Sequence, residues 1–343
     1  MAGGKGERFW PLSTGKVPKP FLPLIGSKTL IQLTAERASR FLSKENIFVV
    51  LGKTHLHTAR KQLPDIPLQN FIVEPIGRDT AACIGLAATV LSLKDRNGTM
   101  IVVPADQFVP DMRRFEKTAR RCIAIASGGD YLVTIGIKPS RPETGYGYIQ
   151  ADERKKIGRG MECYRVAGFV EKPDRERAAR YLAAGDYYWN AGIFVWQTTT
   201  ILNAFKTYMP SLFEGLEAIR YALINSKKRE ADRLFIGFER KSIDYGVMEK
   251  ADNVLMVPAD FQWDDVGTWS SLERVFELDK HGNYLHGKTM AIDTRNSVVV
   301  GDDRPIGIIG LSNVVVVASK NGILVCEKER VQQVREIAKK MQK

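Results

Sequence analysis

Long hydrophobic runs are missing from these 343 residues. None approaches the roughly 18 apolar residues of a membrane-spanning helix. The opening Met1-Ala2-Gly3-Gly4-Lys5-Gly6 lacks the apolar stretch of a secretory signal. Cysteine is scarce. Cys83, Cys122, Cys163 and Cys326 lie far apart with no C-x-x-C pair, which argues against a zinc site or a disulfide framework and for free thiols in a reducing cytoplasm. Low-complexity segments and long linkers are absent too. What remains is 44% hydrophobic and 26% charged, a globular mixture that argues against disorder, collagen and coiled coil. The length suits one large domain and a smaller one, at roughly 100–200 residues per domain.

Acidic charge is in deficit. Lysine and arginine number 51 against 39 aspartates and glutamates, a formal net charge of +12. Such a balance fits an anionic partner, either nucleic acid or a phosphorylated small molecule, and equally a solvated basic surface. The basic residues fall in short clusters, Arg113-Arg114, Arg120-Arg121, Arg154-Lys155-Lys156 and Lys227-Lys228-Arg229, which read as solvated helix faces and loops. No RNA-recognition, zinc-finger or helix-turn-helix pattern accompanies them, so no nucleic-acid partner is expected. His55 and His57 stand two apart on an expected helix, pointing away from each other, and read as surface histidines.

Apolar runs alternate with helical stretches through the first two-thirds. Ile47–Leu51, Met100–Val103 and Tyr131–Ile135 read as buried strands. Asp79 reads as the cap of a helix over Thr80–Lys94, and Asp111 as the cap of another running to Ala126. This alternation predicts an α/β fold with a mostly parallel sheet, whose ligands bind beyond the strands' carboxyl ends. The boundary is expected near 280, giving domains 1–280 and 281–343. Beyond it, Ser297–Val300, Ile306–Ile309, Val314–Val317 and Ile323–Val325 are short β-branched runs broken by Gly, Asp and Asn, as in a small β unit. The last helix puts Val331, Val334, Ile337, Ala338 and Met341 on one face.

The segment richest in chemistry is Gly3-Gly4-Lys5-Gly6-Glu7-Arg8, followed by Pro18-Lys19-Pro20. Glycines let backbone N–H groups approach phosphate oxygens, and Arg8 and Lys19 add fixed positive charge. The spacing is neither a dinucleotide fingerprint nor a Walker loop. Asp106 ends an expected strand, where a carboxylate can face a ligand or merely close a turn. Lys172 follows an apolar run and offers a compact charge for a phosphate, or forms a solvated pair with Glu171.

Together these segments resemble the sugar-phosphate nucleotidyltransferases, and among them most the mannose-1-phosphate guanylyltransferases. The likeness rests on the glycine loop with Pro18-Lys19, and on Glu74–Ala81, Pro104-Ala105-Asp106 and Arg141–Ile149. It continues through Phe169–Pro173, Trp189–Phe194, Ile243–Glu249 and Trp263–Trp269, in that order. The resemblance implies a Rossmann-like, mostly parallel mixed sheet, with a left-handed β-helix fragment as the C-terminal unit. It implies GTP and mannose 1-phosphate as substrates, GDP-mannose and pyrophosphate as products, and Mg²⁺ held by Asp106 and Asp265. Arg8 and Lys19 would bind the triphosphate, with Gly3, Gly4 and Gly6 shaping its loop and Glu74 and Arg78 near the base. Lys172 would take the sugar's phosphate. Glu171 and Asn190 would face its hydroxyls, and Gly145 and Tyr146 would lie beside the ring. Asp264 stands beside Asp265 as a competing carboxylate. The alternatives are the same chemistry on another nucleotide or hexose 1-phosphate, or a non-catalytic anion- or nucleic-acid-binding protein.

Three further expectations follow from the resemblance. The β unit can serve as a homodimer contact. The roughly 60 residues after 280 leave no room for the isomerase domain of some relatives. A buried strand should precede the glycine loop, so the start is expected to lie upstream of Met1, or the chain to have been clipped. Without that strand, backbone groups lose partners and the core loses packing.

Overall fold

The computed structural model describes residues 1–4, 6–156 and 162–341. Lys5 and the side chains of Arg154, Lys155 and Lys156 lie outside the described part. Eight strands form the main layer: β1 (Val49–Gly52), β2 (Phe71–Glu74), β3 (Thr99–Val102), β4 (Leu132–Ile137), β5 (Gly147–Lys156), β6 (Tyr164–Glu171), β7 (Tyr187–Gln197) and β8 (Val254–Pro258). Helices α1 (Leu30–Ala38), α2 (Leu56–Gln62), α3 (Asp79–Ser92), α4 (Met112–Ser127) and α5 (Arg175–Ala184) connect them, followed by α6 (Thr198–Tyr208), α7 (Pro210–Ile224) and α8 (Lys228–Ile236). The three strands foreseen in this region fall within two residues of their expected bounds.

Strand alternation sends side chains to two cores. On β4, Leu132 packs with α3, α6 and α7, while Val133 and Ile135 pack with Phe115, Ala119 and Cys122 of α4. Asp111 caps α4 as expected, its Oδ1 accepting from the Arg114 N–H at 2.9 Å. Asp79 differs. It is the first residue of α3 itself, at φ 69°, and its Oδ1 accepts from the adjoining Thr80 N–H at 2.8 Å. The helix ends at Ser92, short of Lys94.

The six strands β3-β7-β4-β8-β6-β5 form one sheet, and β1 and β2 form a separate parallel pair. Met1 and Ala2 bridge the two. The Ala2 N–H donates to the Val50 carbonyl at 2.8 Å, the Met1 amine donates to the Val103 carbonyl at 2.8 Å, and the Ala105 N–H donates to the Met1 carbonyl at 2.9 Å. That is the pattern of a parallel ladder. Six of the eight strands therefore run one way, as a mostly parallel mixed sheet requires, and β6 and β7 run against their neighbours. Beyond the Met1–Ala2 bridge the sheets part. A cavity of about 400 Å³ opens there, lined by Val49 and Val50 of β1, Ile101 and Val102 of β3, and Cys83 and Ala87 of α3.

After α9 (Leu272–Val275) come β9 (Tyr284–His286), β10 (Thr289–Ile292), β11 (Val298–Val300), β12 (Ile306–Ile309), β13 (Val314–Ser319) and β14 (Gly322–Glu327), and then α10 (Val334–Met341). β9, β11 and β13 stack in parallel, as do β10 and β12, so successive coils lie in register; β14 returns antiparallel to β13. Val331, Val334 and Ala338 of the last turns are buried, but Ile337 and Met341 are exposed, so the expected apolar face is only half covered. The interior of this β unit is shared with the glycine loop. Phe9 and Trp10 pack with Val298, Val315, Leu324 and Val334. Ser319 Oγ and Asn321 Nδ2 both donate to the Pro11 carbonyl at 3.0 Å.

Candidate active site

Gly4 and Gly6 hold positive φ angles of 93° and 59°. Gly6 is also required by space. A Cβ there would stand 2.6 Å from the Lys19 Cβ and 2.7 Å from the Lys19 N. The loop and the Pro18-Lys19-Pro20 segment are thus pressed together at a point that tolerates no side chain. Lys19 opens a short 3-10 turn (Lys19–Phe21) and is buried. Its Nζ donates to Asp106 Oδ2 at 3.0 Å and to the Asp265 carbonyl at 2.6 Å. Residues separated by up to 246 positions meet at this one ammonium.

The two neighbouring aspartates have different surroundings. Asp264 is locked in place. Arg274 Nε and Nη2 donate to its Oδ2 and Oδ1 at 2.6 and 2.9 Å, and the Val266 N–H donates to Oδ1 at 2.8 Å. Burial lowers the Arg274 pKa, but the Asp264 carboxylate overrides it and holds the guanidinium firmly charged. Asp265 Oδ1 accepts from the Tyr146 hydroxyl at 2.6 Å and from the Gly267 N–H at 3.1 Å. Burial pushes its pKa up, and Lys19 pulls the other way. Val266, between this aspartate and Gly267, sits at φ 46°, a strained turn of the kind found at functional sites.

Tyr146 is tied to this group. Its ring is buried edge-on against Trp189 and Trp263, both at 5.2 Å, with its hydroxyl on Asp265. Among the described residues no cluster of three or more His, Cys, Asp or Glu stands ready for a metal. Two hard carboxylates, Asp106 bonded to the Lys19 ammonium and Asp265 within its field, fit Mg²⁺ nonetheless, because that ion keeps waters and substrate phosphates as its other ligands.

A second set of side chains lines a cleft of about 740 Å³, which includes Glu171, Lys172, Asp244 and Tyr245. Lys172 pairs with Glu171 Oε1 and has φ 50°. Burial lowers its pKa, Glu171 raises it, and the balance is upward. A Cβ at Gly147 would collide with Glu171 Oε2, so glycine at 147 makes room for that carboxylate. Asn190 on β7 lies beside a bulge in the β4–β7 pairing and reaches Asp244, Nδ2 to Oδ1 at 2.9 Å. Asp244 was not singled out from sequence, although the Ile243–Glu249 segment was.

Other expected residues lie apart from both groups or at their margins. Arg8 is exposed on the turn Glu7–Phe9, and Gly3 and Gly4 are exposed with open space around them. Gly145 is exposed, its N–H donating to Glu143 Oε1 at 3.1 Å. Glu74 ends β2 and is buried, which raises its pKa to about 7 against the pull of the Met1 amine. Arg78 is turned away. Its guanidinium donates to the Ile236 carbonyl at the end of α8, where helix carbonyls attract a cation.

The family model of the nucleotidyl transferases matches residues 1–282. The chain belongs to that family. Residues 287–341 of this nucleotidyltransferase match the MannoseP isomerase/GMP-like β-helix domain. A mannose-1-phosphate guanylyltransferase of Escherichia coli is 36% identical, over 98% of this chain and 71% of its own length. The alginate biosynthesis protein AlgA of Pseudomonas putida is 35% identical, over 99% of this chain and 70% of its own. A crystal structure from Thermus thermophilus, described as a mannose-1-phosphate geranyltransferase, superposes with a TM-score of 0.88 at 36% identity. It covers 100% of this chain and 98% of that one. Among the described residues no helix is long and apolar enough to cross a membrane.

Proposed function

We propose that this nucleotidyltransferase transfers GMP from GTP to mannose 1-phosphate. The observation that carries the reading is the convergence of Lys19, Asp106 and Asp265 beside the glycine loop, in a chain 36% identical to a mannose-1-phosphate guanylyltransferase. A phosphate oxygen of mannose 1-phosphate attacks the α-phosphorus of GTP. The bond from that phosphorus to the bridging oxygen breaks, and its electron pair leaves with pyrophosphate. Both partners are anions, so charge neutralisation and positioning supply the rate.

Asp106 and Asp265 would hold Mg²⁺, which when bound spreads the negative charge of the phosphates. Tyr146 keeps the Asp265 carboxylate in one orientation by donating to Oδ1. Lys19 and Arg8 bind the pyrophosphate side. Lys172 takes the phosphate of the incoming sugar, and Glu171 accepts its hydroxyls.

Pyrophosphate release, with Mg²⁺ present, tests the reading. GTP, ATP, UTP and dTTP are crossed with mannose 1-phosphate and glucose 1-phosphate. Release confined mainly to GTP with mannose 1-phosphate is expected. Release with a different pair would replace the substrates and keep the chemistry. Silence with every pair, alongside salt-sensitive binding to duplex DNA, would favour the non-catalytic alternative.

A further inference from the structure

Asn190 is expected to meet the sugar directly, but its Oδ1 and one hydrogen of its Nδ2 are already engaged inside the protein. Its Oδ1 accepts from the Thr134 hydroxyl at 3.2 Å and from the Gly192 N–H at 3.1 Å. The one proton of that hydroxyl also has the Ile193 carbonyl at 3.3 Å, so the Gly192 N–H is the donor that Oδ1 does not share. The same contacts fix which end of the amide is which, so Nδ2 must face Asp244. Asn190 therefore aims the Asp244 carboxylate, and Asp244 faces the cleft.

The backbone around Asp244 is built for that placement. Residues Asp244–Met248 form a single π-helical turn, closed by the Glu249 N–H on the Asp244 carbonyl at 3.0 Å. Such wide turns recur at functional sites. The turn is tied to the start of α3, since the Ile243 N–H donates to Thr80 Oγ1 at 2.8 Å and the Ala81 N–H to the Lys241 carbonyl at 3.2 Å. The cleft is lined by four carboxylates, Asp79, Glu171, Glu239 and Asp244, and three cations, Lys172, Arg240 and Lys241; of these, Glu171 and Lys172 hold each other and Asp244 is held by Asn190. An ammonium suits a phosphate. Two carboxylates suit a ring of hydroxyls, because an ionised carboxylate only accepts hydrogen bonds and a hydroxyl readily donates one.

We propose that Asp244 is a second hydroxyl acceptor for the sugar phosphate beside Glu171, and that Asn190 is its positioning residue. This rests on the reading above, that the cleft binds the acceptor hexose 1-phosphate.

The test is a cycle between one substitution and one missing hydroxyl. Asp244→Asn is nearly isosteric. It is expected to raise KM for mannose 1-phosphate at least tenfold and leave KM for GTP within twofold. Mannose 1-phosphates lacking one ring or side hydroxyl at a time are then compared in both proteins. One analogue that costs the wild type tenfold or more in kcat/KM should cost the variant less than threefold. Equal costs for every analogue in both proteins would overturn the proposal, as would a KM for GTP that rises in step with that for the sugar. Should Asp244→Asn fail to fold, Thr134→Val serves instead. It removes one of the two groups that hold the Asn190 amide, leaving the Gly192 N–H, and is expected to raise KM for the sugar phosphate alone; an unchanged KM overturns the positioning role. A wild type that prefers another hexose 1-phosphate overturns the sugar of the proposed function, and the cycle is then decided with deoxy forms of that sugar.

Discussion

Asp265→Ala is expected to lower turnover about 1,000-fold, the scale of removing one preorganised charge-stabilising group, with little change in melting temperature. Its neighbour should show the reverse ranking. Asp264→Ala leaves the Arg274 guanidinium without its bidentate partner. Stranding a buried partner costs about 3–5 kcal/mol, and the third of Arg274 that is exposed reduces this to about 2–3 kcal/mol. In a chain of this size that is a fall of about 5 °C in melting temperature. Calorimetry and steady-state pyrophosphate release on the two variants decide the matter. Equal loss of activity with no loss of stability at Asp264 would show that the pair shares one task, against the geometry.

An apolar extension ahead of Met1 is expected to have the second large effect. Five residues alternating Val and Ile, joined to Met1, would run along the gap between β1 and β3. Each buried side chain contributes about 1.5–3 kcal/mol, and ordering each residue costs about 1–2 kcal/mol for the backbone and up to about 1 more for the side chain. Ladder hydrogen bonds add about 1 kcal/mol apiece. The extension also turns a buried ammonium, whose pKa burial has lowered, into an amide that keeps its bond to the Val103 carbonyl. The net is a few kcal/mol, or about 5–10 °C. A Gly-Ser extension of equal length is the control. A melting temperature that moves equally little with both sequences would mean that the cavity does not take a strand.

Much of this molecule was legible in its residues. β-branched runs bounded by turn residues located β1, β3 and β4, and the Asp111 cap located α4, because those signals are local. The direction of β7 was not legible. Its eleven residues are mostly apolar, and only long-range pairing with β3 and β4 reverses it. Motif order brought Lys19, Asp106 and Asp265 into view. Nothing in the pair Asp264-Asp265 distinguished the two, since the decision is made by Arg274, which arrives from α9. For Tyr146 and Asn190 the residues alone leave a related ambiguity. A polar side chain near a ligand and one that holds such a side chain have the same composition, and only hydrogen-bond geometry separates them.

The packing of Phe9 and Trp10 into the β unit bears on cooperativity. A tail with a private core can melt or be cleaved by itself and leave its neighbour working. Here the interior is common property, and the carbonyl of Pro11 is held by Ser319 and Asn321 from the far end of the chain. Loosening the coils releases the base of the glycine loop, so the two regions are expected to unfold in a single calorimetric transition. Catalytic competence and the integrity of the last sixty or so residues become one thermodynamic quantity.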